Sequence, residues 1–253
     1  MTVKELYKIL NEKIPASLSC EWDNDGLMCC PDGERAVRRA LVALDVTDAV
    51  VDAAIEGGYD VIVSHHPFIF KGLKSINDEN YIAEKAVKLI KHGISVFSFH
   101  TRLDALDGGV NDCLCALLSL ENVSAFGEDG IGRIGDLQSP TTAEDLALTV
   151  KEVLGADGVL LADGGKLSHR VAVLGGEGGD DIGAAIAAGA DTYISGRLGY
   201  HAMTDAPDMG INLIEAGHFY TENPVCTVLR EMICEADPAI VCDTYHSNKI
   251  KLI

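Results

Sequence analysis

Short runs of β-branched residues alternate along the chain with longer alanine-rich stretches of helical periodicity. Apolar runs bounded by Gly or Asp are typical of buried strands, and helices between such strands are typical of α/β proteins. The predicted strands are residues 41–44, 61–63, 95–99, 171–174, 192–194 and 211–214. The predicted helices are residues 48–56, 81–92, 142–154 and 181–188, after an amphipathic helix at the start of the chain. The pattern predicts an α/β fold with mainly parallel sheets.

One helix and strand pattern occurs twice. Residues 52–64 match residues 183–195, which lie 131 positions later, and both copies run from an alanine-rich helix into an apolar strand ending in Ser. We interpret the match as two similar β-α-β-α-β lobes that arose by duplication; similar composition alone is the alternative. The Gly-rich stretch 127–140 is predicted to be the crossover, with residues 1–125 and about 215–253 in the first lobe and 126–214 in the second.

Chemically active side chains follow two strands of the first lobe. His65 and His66 come directly after one strand, and His100 follows the next, with Asp104 four residues later. Ligands of open α/β sheets bind at the carboxyl ends of the strands, so these residues are candidates for one site. The alternatives are a solvated histidine pair at 65 and 66, and an Asp104 that caps a helix beside a buried His100.

A third strand end carries His218 and Glu222. Gly217 permits a tight turn, and a helix starting there places the two side chains four residues apart on one face, where both can reach one metal. An ordinary solvated pair is the alternative. Three histidines and two carboxylates are more ligands than one tetrahedral metal site with an open position can hold. They therefore suggest two divalent ions such as zinc, iron or manganese, with Glu222 bridging them. Such a pair would activate a shared water for hydrolysis.

The net charge and the composition limit the classes of partner that the protein can bind. Lys and Arg number 20 against 39 Asp and Glu, a net charge of −19, which excludes broad binding of DNA or RNA through phosphate neutralisation. No apolar run is long enough for a membrane span, and the start of the chain lacks the apolar region of a signal peptide. We therefore expect a cytoplasmic protein whose eight cysteines are reduced.

Four motifs resemble the family called GTP cyclohydrolase 1 type 2 homologs, or the Nif-three-like family. They are WDNDGL at residues 22–27, SHHP at 64–67, HTRLD at 100–104 with GGVND at 108–112, and GHFYTE at 217–222. The resemblance implies two α/β lobes, a dinuclear metal centre in the cleft, and a homohexamer built as a trimer of dimers. The metal ligands that it implies are His65, His66, Asp104, His218 and Glu222. Longer members carry an inserted domain, for which this chain has no room.

Other residues of these motifs have alternative roles. His100 is either an added ligand or lies behind the ligands, and Asp23 and Asn24 either form a turn or orient the ligands. Members often have Asn where this chain has Arg102, and they carry Asp and Lys around the segment 196–201. We predict that Arg102, Arg197 and His201 contact an anionic substrate.

The predicted function is metal-dependent hydrolysis of a small, nucleotide-like molecule. The family name implies attack on the purine ring of GTP. Two dications offset the acidic charge locally, so the net charge does not argue against such a substrate when it docks at the metals. The alternative is a non-catalytic, metal-binding or regulatory ring.

Overall fold

The chain folds into eleven strands and ten α-helices, which a computed structural model describes for residues 1–253. The strands are β1 (Gly26–Cys29), β2 (Arg39–Ala43), β3 (Val61–Ser64), β4 (Ser95–Ser98), β5 (Glu121–Phe126), β6 (Gly132–Thr141), β7 (Leu160–Ala162), β8 (Ser168–Glu177), β9 (Thr192–Arg197), β10 (Asn212–Glu215) and β11 (Val241–Tyr245). The helices are α1 (Val3–Lys13), α2 (Asp48–Glu56), α3 (Tyr81–His92), α4 (Thr101–Ala105), α5 (Val110–Leu117), α6 (Ala143–Leu154), α7 (Ile182–Ala187), α8 (Tyr200–Met209), α9 (His218–Glu222) and α10 (Val225–Ala236). The predicted α/β class is confirmed.

The first unit comprises residues Met1–Leu103 and Val225–Asn248. Its five-stranded sheet has the order β1-β4-β3-β2-β11, with β2, β3, β4 and β11 parallel and β1 antiparallel at the edge. Helices α2 and α3 pack through Val50 and Leu89 against Ile62 and Val96 of the sheet. Helix α10 packs on β2 and β11, and α1 packs on α10. This sheet is mainly parallel, as the sequence predicts.

The second unit comprises residues Asp104–Pro224 and Lys249–Ile253. Its six-stranded sheet has the order β5-β6-β8-β9-β10-β7, in which the parallel pairs are β8–β9 and β9–β10 and the other pairs are antiparallel. Leu114 and Leu146 pack against Val173 in one apolar cluster of this unit, and Ile182 and Ala206 belong to another. The parallel core therefore carries additional antiparallel strands on both sides.

Polar caps define the helix starts that the sequence predicts. The Thr47 hydroxyl accepts a hydrogen bond from the Val50 amide at the start of α2, and the Asn80 side chain caps α3. At α6, the Thr142 hydroxyl accepts a hydrogen bond from the amide of Asp145. Each cap satisfies a backbone donor that the first helical turn leaves open.

Matching hydrogen bonds support the internal repeat. The Asp60 carboxylate accepts bonds from the amides of Arg38 and Arg39 at 2.8 and 3.2 Å. Asp191 stands 131 positions later and accepts bonds from the two corresponding amides, at the start of β8. In both units, an aspartate just before the middle parallel strand thus ties that strand to its neighbour.

We expect Asp60→Asn to lower the free energy of unfolding by about 1.5–3 kcal/mol, the range for hydrogen bonds to a charged group. Burial raises the pKa of the Asp60 carboxyl, but the Arg38 and Arg39 amides and the Arg35 guanidinium hold the pKa below its usual range. The stabilisation is therefore complete above the unfolded-state pKa of about 3.9 and disappears as the pH falls through the lower folded-state pKa. Urea unfolding at pH 7 and in acid should show the gap between wild type and variant closing. Exposed Asp52→Asn is the control, and equal losses in the two variants would contradict the assignment.

Two predictions about organisation differ from the structure. Residues 127–140 are not a crossover, because β6 occupies most of this stretch and pairs with both β5 and β8. The chain passes between units after Leu103, after Pro224 and again after Asn248, instead of near residues 125 and 215 only. The reason is that α5 packs on β6 and β8, and α9 packs on β8 and β9.

None of the helices combines the length and apolar character that a membrane span requires.

Candidate metal centre

Three histidines converge at the carboxyl ends of two neighbouring strands in the first unit. Because β3 and β4 are parallel and Ser64 is in register with Ser98, the residues that follow them emerge at the same edge. The ring of His65 lies 5.0 Å from that of His66 and 5.3 Å from that of His100, centroid to centroid. One ring nitrogen from each histidine lies within 4.8 Å of the others. The structure thus brings these three predicted residues together.

Each imidazole of this cluster is oriented through its Nδ1 atom. Nδ1 of His65 lies 2.9 Å from the carbonyl oxygen of Phe99, and Nδ1 of His66 lies 2.7 Å from the Asp45 carboxylate. The Ser247 hydroxyl donates to the other oxygen of Asp45. An acceptor at Nδ1 places the proton of a neutral imidazole there and leaves the Nε2 lone pair available as a metal ligand.

The third histidine is held by the motif that contains the only tryptophan. Nδ1 of His100 lies 2.9 Å from one oxygen of Asp23, and the other oxygen accepts bonds from the Thr101 amide and hydroxyl. Burial raises the pKa of the Asp23 carboxyl, but these bonds from His100 and Thr101 hold the pKa well below its usual range. Asp23 thus orients His100, whereas the Asn24 side chain donates to the carbonyl of Ile69 instead.

Arg102 lies in the interior and is only 1 % exposed. Its guanidinium donates to the carboxylate of Asp25 at 2.8 Å, to Asn11 at 2.7 Å and to the carbonyl of Ile14 at 3.0 Å. It also lies over the ring of Phe99, 4.8 Å from the centroid. A guanidinium enclosed in this way has no surface to offer a substrate, so its placement counts against the predicted substrate contact and assigns it a structural role.

The second unit holds the predicted carboxylates. Asp104 lies in α4, and a carboxylate oxygen of Asp104 and one of Glu222 lie within 4.8 Å of each other. Glu222 is 4 % exposed, and its Oε2 atom lies 3.0 Å from Nε2 of His218, one helical turn earlier in α9. The predicted spacing of four residues therefore places imidazole and carboxylate side by side.

Glycine leaves room for this carboxylate at the end of β8. Gly176 has φ +71°, and a Cβ atom there would collide with Oε1 of Glu222 and lie 3.3 Å from Nε2 of His218. Its amide donates to the hydroxyl of Thr221, and the Gly175 amide donates to Asn111. These two amides are therefore used within the fold.

Arg197 and His201, the other two predicted substrate contacts, lie elsewhere in the second unit. Arg197 has a side chain 66 % exposed and lies 3.6 Å from Glu177. His201 is exposed in the first turn of α8 and lines a cavity of about 350 Å³ together with Glu177 and Asp180. Neither residue belongs to a group of metal-binding side chains, and both remain predicted contacts.

The donor set fits a divalent transition metal. Neutral imidazoles and carboxylates suit zinc, iron and manganese, and the anchored Nδ1 atoms are what metal-binding histidines typically show. The cradle at Gly176 leaves space for the carboxylate in a buried position. Asp45 is the residue that sequence reasoning missed, although it follows β2 at the same sheet edge and the rule that found the histidines applies to it as well.

Fold and site together define an α/β protein with a candidate transition-metal centre. Residues 1–249 match the family described as Duf34/NIF3 (NGG1p interacting factor 3). The chain is 35 % identical over 241 residues to a GTP cyclohydrolase 1 type 2 homolog of Clostridium acetobutylicum, covering 92 % of this chain and 90 % of that protein. The crystal structure of Staphylococcus aureus protein SA1388 superimposes with a TM-score of 0.88 at 27 % identity, covering 100 % and 99 % of the two chains. The chain belongs to the Duf34/NIF3 family, as its motifs predict.

Proposed function

We propose that the protein is a metal-dependent hydrolase that holds two divalent ions and acts on a nucleotide-like substrate. The proposed ligands are His65, His66, Asp104, His218 and Glu222, with His100 beside them. The observation that carries the proposal is the convergence of three imidazoles, each with Nδ1 facing an acceptor. The name of the clostridial relative, GTP cyclohydrolase 1 type 2 homolog, supports a nucleotide as substrate.

The two proposed carboxylate ligands lie next to the points at which the chain passes from one unit to the other. Asp104 directly follows the first crossing between the units, and Glu222 lies two residues before Pro224, where the second occurs. Asp104 also follows His100 by four residues in the sequence.

The side chains around the proposed ligands have separable tasks. Asp45 and Asp23 fix the ring planes of His66 and His100 through hydrogen bonds to Nδ1. Buried Glu222 keeps its carboxylate beside His218. Divalent ions bound by this set would supply Lewis acidity and make water nucleophilic near neutral pH.

Metal content and turnover test this proposal. Elemental analysis of freshly purified protein should give about two divalent ions per chain, and His65→Ala should lower that value, whereas His92→Ala, an exposed histidine in the last turn of α3, should not. A ratio near one or zero in the wild type would overturn the two-ion proposal.

Turnover separates the hydrolase from a non-catalytic metal-binding ring, which predicts the same metal content. Wild-type protein loaded with each metal should hydrolyse at least one compound in a panel of GTP and phosphodiesters, and a protein with both His65→Ala and His218→Ala should not. Turnover that survives the double substitution would exclude these ligands. A complete lack of wild-type turnover would favour the ring.

A further inference from the structure

Two large aromatic side chains are exposed beside the histidine cluster in the first unit. Trp22, the single tryptophan of the chain, is 64 % exposed, and Phe70 is 45 % exposed. Leaving such rings in water forgoes the stabilisation that their burial would bring. Exposed apolar side chains that adjoin one another are characteristic of binding sites.

Both rings adjoin His100. The centroids of Trp22 and Phe70 each lie 6.2 Å from that of His100, with interplanar angles of 77° and 88°. The two rings lie 6.2 Å from each other at 71°. Because all three contacts are edge to face, none of the rings is stacked on another. An edge-to-face contact covers at most one face of one ring in each pair, and Trp22 and Phe70 are 64 % and 45 % exposed, so the exposed ring faces can take a further planar group.

The loops that carry these aromatic residues are tied together. The Asn24 side chain donates to the carbonyl of Ile69, which links the loop of Trp22 to the loop of Phe70. Asp23, the neighbour of Trp22, is held by His100 and Thr101. The pair is thus positioned before a ligand arrives, which lowers the entropy cost of binding.

We infer that Trp22 and Phe70 form a stacking platform that receives the planar heteroaromatic ring of the substrate, such as a nucleobase, beside His100. Stacking needs no positive charge, so it suits a chain with a net charge of −19, where contacts to phosphate are scarce. Aromatic side chains bind nucleobases in this way because every base has a π face. The inference rests on the proposed function in its choice of substrate, but stacking itself needs no metal.

The fluorescence of Trp22 gives a direct readout, since the chain has no other tryptophan. We would titrate the full-length protein with GMP and with ribose 5-phosphate, which differ only in the base, and excite where the base does not absorb. GMP should quench the fluorescence, and ribose 5-phosphate should not. Quenching should persist after metal removal with EDTA. Equal responses to both compounds would overturn the inference.

Variants test the platform itself by calorimetric titration with GMP. Trp22→Leu and Phe70→Leu should each weaken binding by about tenfold, the effect of losing one stacking contact. Phe70→Tyr should retain affinity, and Tyr81→Leu, at a side chain 68 % exposed on α3, should not change it. Unchanged affinity in Trp22→Leu, or an altered oligomeric state in light scattering without altered GMP binding, would overturn the inference.

The two proposals can fail independently. Two ions per chain without any response to the base would leave the proposed metal centre intact and remove the platform. Quenching by GMP in a protein that binds no metal would leave the platform intact and remove the hydrolase.

Discussion

Replacing Arg102 with methionine is expected to lower the free energy of unfolding by about 3–5 kcal/mol, the cost of breaking a buried ion pair from one side. The substitution removes the guanidinium that holds Asp25, 2.8 Å away, and leaves that carboxylate, whose side chain is 6 % exposed, without its cation. It also removes the bonds to Asn11 and Ile14 that attach the end of α1. Methionine preserves the apolar stem of the Arg102 side chain, so the loss of stability measures the contribution of the charged guanidinium.

Arg197→Met provides the matched control. Arg197 also lies near a carboxylate, that of Glu177, but both side chains are about two-thirds exposed, and such surface pairs contribute about 0–1 kcal/mol. Urea unfolding of both variants in EDTA separates stability from metal binding. If Arg102 instead contacts substrate, Arg102→Met will unfold like wild type and lose only substrate affinity.

Gly176→Ala is expected to lower metal affinity roughly 100-fold without changing any proposed ligand. The new Cβ atom would collide with Oε1 of Glu222 and approach Nε2 of His218, so the buried carboxylate must move. Structural zinc sites gain about 10–16 kcal/mol of binding free energy from four ligands. The loss of one ligand would remove about a quarter of that free energy, which corresponds to roughly two powers of ten in metal affinity. The positive φ of +71° adds about 1–2 kcal/mol of backbone strain.

Gly165→Ala isolates the strain from the collision. Gly165 has φ +75° in the same unit, but a Cβ atom there meets nothing within 4 Å. Gly165→Ala should therefore lose only the stability that the strain costs, whereas Gly176→Ala should lose at least that much in urea and should also lose metal in competition with a chromophoric chelator. Equal metal affinities in the two variants would show that Glu222 is not a ligand.

The sequence predicted the features that depend on residues close together along the chain. Helices α2 and α3 have the predicted bounds, because apolar periodicity and the caps at Thr47 and Asn80 act within a few residues. The histidine cluster was also predictable, since parallel strands bring their carboxyl ends to one edge. The edge strand β5 was missed because five of its six residues are exposed and show no apolar alternation.

Local sequence patterns could not predict the contacts between distant parts of the chain. Arg102 stands beside a predicted metal ligand, which suggested a substrate contact, but its partners Asn11 and Ile14 are about 90 residues away in sequence. The boundaries between units depend in the same way on α5, which packs on the distant strand β8. No periodicity within α5 indicates which sheet it will join.

The two copies of the internal repeat differ at the ends of their strands β3 and β9. His65 directly follows β3, whereas the position 131 residues later is Gly196, whose missing Cβ would lie 2.7 Å from Cα of His218. The first copy carries an imidazole at this point, and the second has no side chain there, which leaves space for the backbone of α9. Replacing Gly196 with histidine therefore cannot create a second set of ligands that corresponds to His65. The internal repeat does not imply a second metal centre in each chain.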